Sequence, residues 1–285
     1  MIIFSIRNLK LFFRDRAAVF FSLLAVLIII GLYVLFLGDL VVGDLEGVPE
    51  ARFLMDSWIM AGLLAVTSIT TTMGAAGVVV DDKAKGIAKD FYCSPLKRTT
   101  LVGGYLLSTI VVGVIMSIVA LILAELYIFL GGGELLSLGD LLKVLGLIFL
   151  STMASGSMIY FMVSFFHTQN AFGVASTVLG TLIGFLMGIY VPIGVLPSAV
   201  QAIIKVFPIS HAAVLFRQVL MDVPLARSFV GAPPAMVDGF KSSLGVVFQF
   251  GDHTVSSMES LLILVVTTIL FFILGVWRML SPRKT

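Results

Sequence analysis

Residues 81–107 read DDKAKGIAKDFYCSPLKRTTLVGGYLL. The stretch carries Asp81, Asp82, Lys83, Lys85, Lys89, Asp90, Lys97 and Arg98 between two long apolar runs, 57–80 and 101–130. A chain that is apolar on both sides of such a cluster must leave a lipid phase, turn in water and re-enter. That reading sets the fold class: an all-α membrane protein.

Composition agrees. Of 285 residues, 59% are hydrophobic and 12% charged, against about a quarter charged in an average soluble domain. So few charges cannot coat a globule of this size, so lipid must solvate most of the surface. The single cysteine, Cys93, excludes a disulfide within the chain. Three His and one Cys leave little material for a zinc site, and no metal site is expected. The first apolar run, Ala17–Leu37, is too long for the core of a cleavable signal peptide and lacks an A-x-A exit. Neither a G-x-x-x-x-G-K-[ST] phosphate loop nor an H-E-x-x-H motif is present. No catalytic residue is expected. The spans also lack the clustered paired charges of a proton-driven pump, and the halves show no internal repeat.

A spanning helix needs ~20 mostly apolar residues. Six stretches qualify: 17–37, 57–80, 101–130, 141–166, 171–191 and 260–280. Backbone groups in lipid must bond internally, so these are helices. Basic residues near span ends set orientation. Arg7, Lys10, Arg14 and Arg16, then Lys83, Lys85, Lys89, Lys97 and Arg98, then Arg278, Arg283 and Lys284 account for most of the chain's 18 Lys and Arg. Both termini and the 81–99 loop are therefore expected in the cytoplasm. Residues 1–16 read as an interfacial amphipathic helix, with Ile2, Ile6, Leu9 and Phe13 on one stripe and Arg7, Lys10 and Arg14 away from it.

Local patterns add expectations. Asp81 and Asp82 can cap a short helix starting near Lys83, weakened by Gly86 and ended before Ser94-Pro95. An ordinary solvated loop fits the same residues. In span two, Thr67, Ser68, Thr70, Thr71 and Thr72 have two readings: hydroxyls bonding back to their own helix, or a polar stripe facing a path or neighbour. Glu125 can snorkel or pair with Lys143; a proton-relay role is the lesser reading. The link His167–Asn170 is short enough to make spans four and five adjacent and antiparallel. Gly180, Gly184 and Gly188 recur every four residues in span five and predict close helix packing. The region 192–259 is read as external: two short apolar arms broken at Pro208, re-entering the outer leaflet, then a small hairpin around Gly251-Asp252. Arg217, in the second arm, needs a carboxylate or carbonyl partner if buried.

These features together resemble the permease subunit of an ABC-2 type (type V) ABC exporter. The resemblance is carried by Asp81 or Asp82, Gly86, Ser94-Pro95, Lys97-Arg98 and the re-entry Leu101, Gly104, Leu106-Leu107, and by Phe207-Pro208-Ile209-Ser210-His211 followed by Arg217. It implies a single domain over 1–285 in the plasma membrane, bacterial by expectation. It implies two permease copies, a homodimer first and a heterodimer second, with separate ATPase subunits that bind ATP and magnesium; the chain itself would hold no cofactor. Asp81, Asp82, Lys83, Gly86, Ser94, Pro95 and Arg98 would couple to the ATPase. Thr67, Thr70, Thr71, Ser176, Thr177 and Thr181 would face the path. Gly180, Gly184 and Gly188 would lie near the dimer contact, and Pro208, His211 and Arg217 at an external gate. The cargo would be hydrophobic or amphipathic: a drug, a peptide or a lipid-like molecule. An ion-coupled secondary transporter and a polysaccharide exporter are the alternatives, and nucleic acid is not an expected partner.

Overall fold

The computed structural model of the chain describes residues 1–33, 35, 48–93 and 95–280. Helix α1 (Ile2–Arg14) stops at Asp15, whose extended backbone breaks the helix and whose carboxylate accepts the Ala18 N–H at 3.0 Å, capping α2 (Arg16–Leu32). Then come α3 (Ala51–Ala84), α4 (Ile87–Cys93), α5 (Arg98–Leu130), α6 (Leu138–Val163) and α7 (Gln169–Leu186). Ser137 and Thr168 cap α6 and α7 by accepting the N–H of Asp140 and Ala171. A 3₁₀ turn (Ile193–Val195) leads to α8 (Ser198–Val206), α9 (Ser210–Leu220), α10 (Asp222–Ser228) and α11 (Pro234–Ser243). Strands β1 (Gln249–Phe250) and β2 (His253–Thr254) pair antiparallel around Gly251-Asp252, the turn that the sequence pattern predicts, and α12 (Ser257–Leu280) follows.

Among the described residues, five helices are long and apolar enough to cross a membrane: α3, α5, α6, α7 and α12. Helices α8 and α9 together pass the same test but are bent by 88° at their break, as a broken span or a re-entrant loop. The span expected over Ala17–Leu37 is helical from Arg16 to Leu32, and part of its outer end lies outside the described residues. Helix α3 begins at Ala51 rather than Ser57 and ends at Ala84 rather than Val80. At 1.5 Å per residue its 34 residues rise about 51 Å, well over the ~30 Å of a hydrocarbon core, so its ends carry charge beyond the lipid.

Helix α3 is the hub. It packs on α2, α5, α6, α7 and α9, while α12 leans on α6 and α1 on α5. Trp58, Leu63, Leu64, Ala65 and Ala76 of α3 are fully or almost fully enclosed. Lipid is as apolar as leucine, so close packing rather than water exclusion holds such helices together. Small and hydroxyl residues supply that closeness: Ser68 of α3 meets Ser155 of α6 at 3.1 Å between hydroxyl oxygens, and Gly113 of α5 lies against Thr72 and Thr152.

One expectation about packing is refined and one fails. The short link leaves α6 and α7 as neighbours, with the Phe166 and Phe172 rings 6.2 Å apart, but α7 does not pack closely on α6; it packs chiefly on α3, where Gly77 leaves room for the Phe172 ring. The rest of α7 is largely uncovered, with Val174, Val178, Leu182 and Phe185 exposed. Nor do Gly180, Gly184 and Gly188 form one helical stripe. Gly188 lies beyond the helix end at φ 61°, in the left-handed turn that closes α7, where the Ile189 N–H returns to the Gly184 carbonyl at 3.0 Å. Gly184 is covered by the Tyr190 ring of the same chain, and only Gly180 faces open space.

A β-carbon at Gly113 would sit 2.6 Å from Thr72 Cγ2 and 3.3 Å from Thr152 Cγ2. Gly113→Val should therefore wedge α5 away from α3 and α6 and cost about 1–3 kcal/mol. Thermal unfolding of the detergent-solubilised chain reads this directly, and an unchanged midpoint would refute the close three-helix contact.

Candidate functional site

The charged stretch between α3 and α5 is built differently from the sequence expectation. Asp81 and Asp82 do not cap a new helix; both lie in the last turn of α3. The break comes at Gly86, at φ 78°, after the Lys85 N–H has bonded back to the Asp81 carbonyl at 2.9 Å. A left-handed glycine is the usual way to stop a helix, and it outweighs the local capping preference of aspartate. The short helix of this stretch, α4, starts at Ile87. Ser94 lies outside the described residues. Pro95 is exposed in the turn, and Arg98 opens α5.

Asp82 is buried at 2% exposure. Arg7 of α1 grips it with both guanidinium nitrogens, Nη1 to Oδ2 and Nη2 to Oδ1 at 2.9 Å, and the Tyr105 hydroxyl of α5 donates to Oδ2 at 2.6 Å. A buried carboxylate is costly unless paired and hydrogen-bonded, and here both conditions are met by two other helices. Arg7 also lies over the Phe4 and Phe91 rings, at 5.7 and 5.2 Å. Its hydrogen bond to Asp82 outweighs partial burial and raises its pKa above the ordinary value. Because Phe91 belongs to α4, the node joins four elements: α1, α3, α4 and α5. The sequence places Arg7 away from the apolar stripe of the interfacial helix but does not pair it with Asp82, and nothing in the sequence singles out Tyr105. The available signal was that so deep a carboxylate needs a cation.

The neighbours add further ties. Asp81 accepts from Lys85 at 2.7 Å and from Gln169 of α7 at 3.3 Å. Lys83 donates to the Val163 carbonyl at 3.2 Å, a cation at the negative end of α6. What remains outward on α4 is Lys89, Asp90 and Cys93, all exposed.

The six hydroxyls assigned to a path are brought together only in part. All bond back to their own helix: Thr67 to the Leu63 carbonyl, Thr70 to Val66, Thr71 to Thr67, Ser176 to Phe172, Thr177 to Gly173 and Thr181 to Thr177. Thr67 and Thr71 are fully enclosed. Thr70 and Ser176 line a common cavity of about 340 Å³ between α2, α3, α6 and α7, with Phe21, Ser22, Gly74 and Gly180. Its wall is apolar with a few hydroxyls, suited to an amphipathic guest. Glu125 does not pair with Lys143; its carboxylate accepts the Leu136 N–H at 3.0 Å, while Lys143 pairs with Asp140.

At the other end, Pro208 lies in the bend between α8 and α9. His211 is buried, its Nε2 donating to the Lys205 carbonyl at 3.0 Å, with Nδ1 3.2 Å from the Ser260 hydroxyl. Arg217 is wholly enclosed, yet no carboxylate meets it among the described residues. Its Nη2 donates to the carbonyls of Met187 and Gly188 at 2.7 and 3.0 Å, its Nη1 to that of Gly245 at 3.4 Å, and its guanidinium lies 5.2 Å from the Trp58 ring centroid. Those carbonyls stand at the C-terminal ends of α7 and α11, where helix dipoles favour a cation. Trp58 donates to the Leu244 carbonyl at 2.8 Å and completes the tie to α3. No group of three His, Cys, Asp or Glu among the described residues is placed to hold a metal.

The model of the family described as ABC-2 family transporter protein matches residues 51–277, from the first residue of α3 into α12. No curated protein matches the chain.

Arg217→Lys keeps the charge but replaces a fork spanning two helix ends with a single ammonium. It should lower stability by roughly 1–3 kcal/mol. An unfolding midpoint equal to that of the unsubstituted protein would show that the two-ended clamp contributes nothing.

Proposed function

The chain belongs to the ABC-2 transporter family, a multi-pass membrane permease whose family works with an ABC ATPase, and from that membership we propose that it exports a hydrophobic or amphipathic cargo. Drugs, peptides and lipid-like molecules are the cargo classes. The separate ATPase subunits bind ATP and magnesium. They dock on α4, and their motion enters the spans through the Arg7–Asp82–Tyr105 node.

One observation carries the coupling part of this reading. A short helix with an outward face of Lys89, Asp90 and Cys93 sits between two of the longest membrane helices, and its Phe91 packs on the ion pair that ties those helices to α1. A push on α4 therefore reaches α1 and α3 by direct contact and α5 through the Asp82–Tyr105 hydrogen bond. The cargo class is supported by the apolar cavity that Thr70 and Ser176 share. A second permease copy is supported by the uncovered face of α7. The bent α8–α9 pair, pinned by Pro208, His211 and Arg217, forms the gate on the outer side. Both termini lie in the cytoplasm of a bacterial cell, on the side where basic residues gather.

Cys93 is the only cysteine and is exposed, so it takes a photo-crosslinker without further substitution. Labelled chain, assembled with the ATPase subunit that co-purifies with it, should crosslink to that subunit and to no external probe. Assembly with no adduct would remove α4 as the docking element. Inside-out membrane vesicles then test direction: ATP should drive amphipathic dye inward, and dye loss or indifference to ATP would contradict export.

A further inference from the structure

Where α1 turns into α2, the elbow leaves a groove of about 340 Å³ lined by Phe13, Arg16, Val19, Phe20, Leu23 and Leu27. Apart from Phe13, these residues recur along α2 at steps of three and four and so share one face. From Arg16 to Leu27 the helix rises about 16 Å, half of the ~30 Å hydrocarbon thickness. The groove is thus one leaflet deep, with a cation at its mouth and apolar walls below.

The charge at that mouth is uncompensated by the protein. Arg16, Lys10 and Arg14 are all exposed, and none forms an ion pair with another described residue. Arg7 is paired with Asp82, and the Asp15 carboxylate caps the Ala18 N–H and forms no ion pair with a described residue. Asp15 thereby sets the elbow angle and holds Arg16 beside the groove. A second copy of the same elbow would bring like charge against like, which disfavours a self-contact here. A phosphate headgroup with an acyl chain satisfies both features at once.

We propose that the α1–α2 elbow binds one anionic phospholipid, its phosphate on Arg16 and one acyl chain along Val19, Leu23 and Leu27. The site requires that α2 cross the membrane; it does not depend on cargo or on the direction of transport. It makes the position of α1, and with it Arg7, responsive to the lipid of one leaflet.

Native mass spectrometry of the full-length chain in detergent tests this, with phosphatidylglycerol and phosphatidylcholine of identical acyl chains as probes and inorganic phosphate as competitor. One phosphatidylglycerol should be retained about fivefold more strongly than phosphatidylcholine, the preference expected from a single interfacial cation. Arg16→Gln should abolish that preference and Arg16→Lys should keep it; Lys241→Gln, on α11, should change nothing. Both Arg16 variants substitute an exposed side chain, and an unchanged unfolding midpoint verifies that the fold persists. Leu23→Trp, which fills the groove, should weaken both lipids alike. Equal retention of the two lipids, a preference that survives Arg16→Gln, displacement by millimolar phosphate, or no retained lipid would each overturn the proposal.

Discussion

A carboxylate at the end of the central helix, enclosed to 2% exposure, is the constraint on which this end of the helix bundle depends. A carboxylate enclosed there alone would be costly, because stripping an ion of water costs several kcal/mol unless charge and hydrogen bonds replace the water. Arg7 and Tyr105 are the replacements, and each comes from a different helix. The interaction therefore fixes α1 against α3 and α5, and through Phe91 it holds α4 as well. A weak surface ion pair would be dispensable. This one is not, because losing either partner leaves a buried group unsatisfied.

The same physics recurs at the opposite end with the sign reversed. Arg217 is a buried cation, and it is met by the carbonyls that close α7 and α11 rather than by a carboxylate. Between the two nodes runs α3, contributing Asp82 to one and Trp58 to the other. Its intervening hydroxyls bond to their own backbone and leave the middle of the bundle uncharged. The central helix thus carries one polar fastening at each end and an apolar cavity beside it. That arrangement suits a membrane permease driven from one side, since rigid elements carry displacement and the unfilled space between α2, α3, α6 and α7 can change shape.

The apolar runs of the sequence are legible because lipid demands length and composition that little else imitates. Their ends are less so. Asp56 and Asp82 look like residues that should stop a span, yet both ride inside α3; Arg7 grips Asp82, and Asp56 has Arg52 one turn before it and the Tyr127 hydroxyl at 3.5 Å. Hydropathy counts charges; it does not see partners 71 and 75 residues away. The aspartate pair at 81–82 has a capping signature, and the left-handed Gly86 after it overrides that signature. The spacing of Gly180, Gly184 and Gly188 is helical, but only a structure reveals that the third glycine is a turn. The bend at Pro208 was readable, since proline punctuates a chain locally. A carbonyl partner for Arg217 was one of two readings, but which carbonyls meet it was not legible, since any backbone can supply them.

The most direct test of this account is a double-mutant cycle on Arg7→Gln and Asp82→Asn in the full-length chain, read by thermal unfolding. If the buried pair fastens α1 to the central helix, the double variant should be less destabilised than the sum of the two single variants, by about 1–3 kcal/mol. Strict additivity would contradict it.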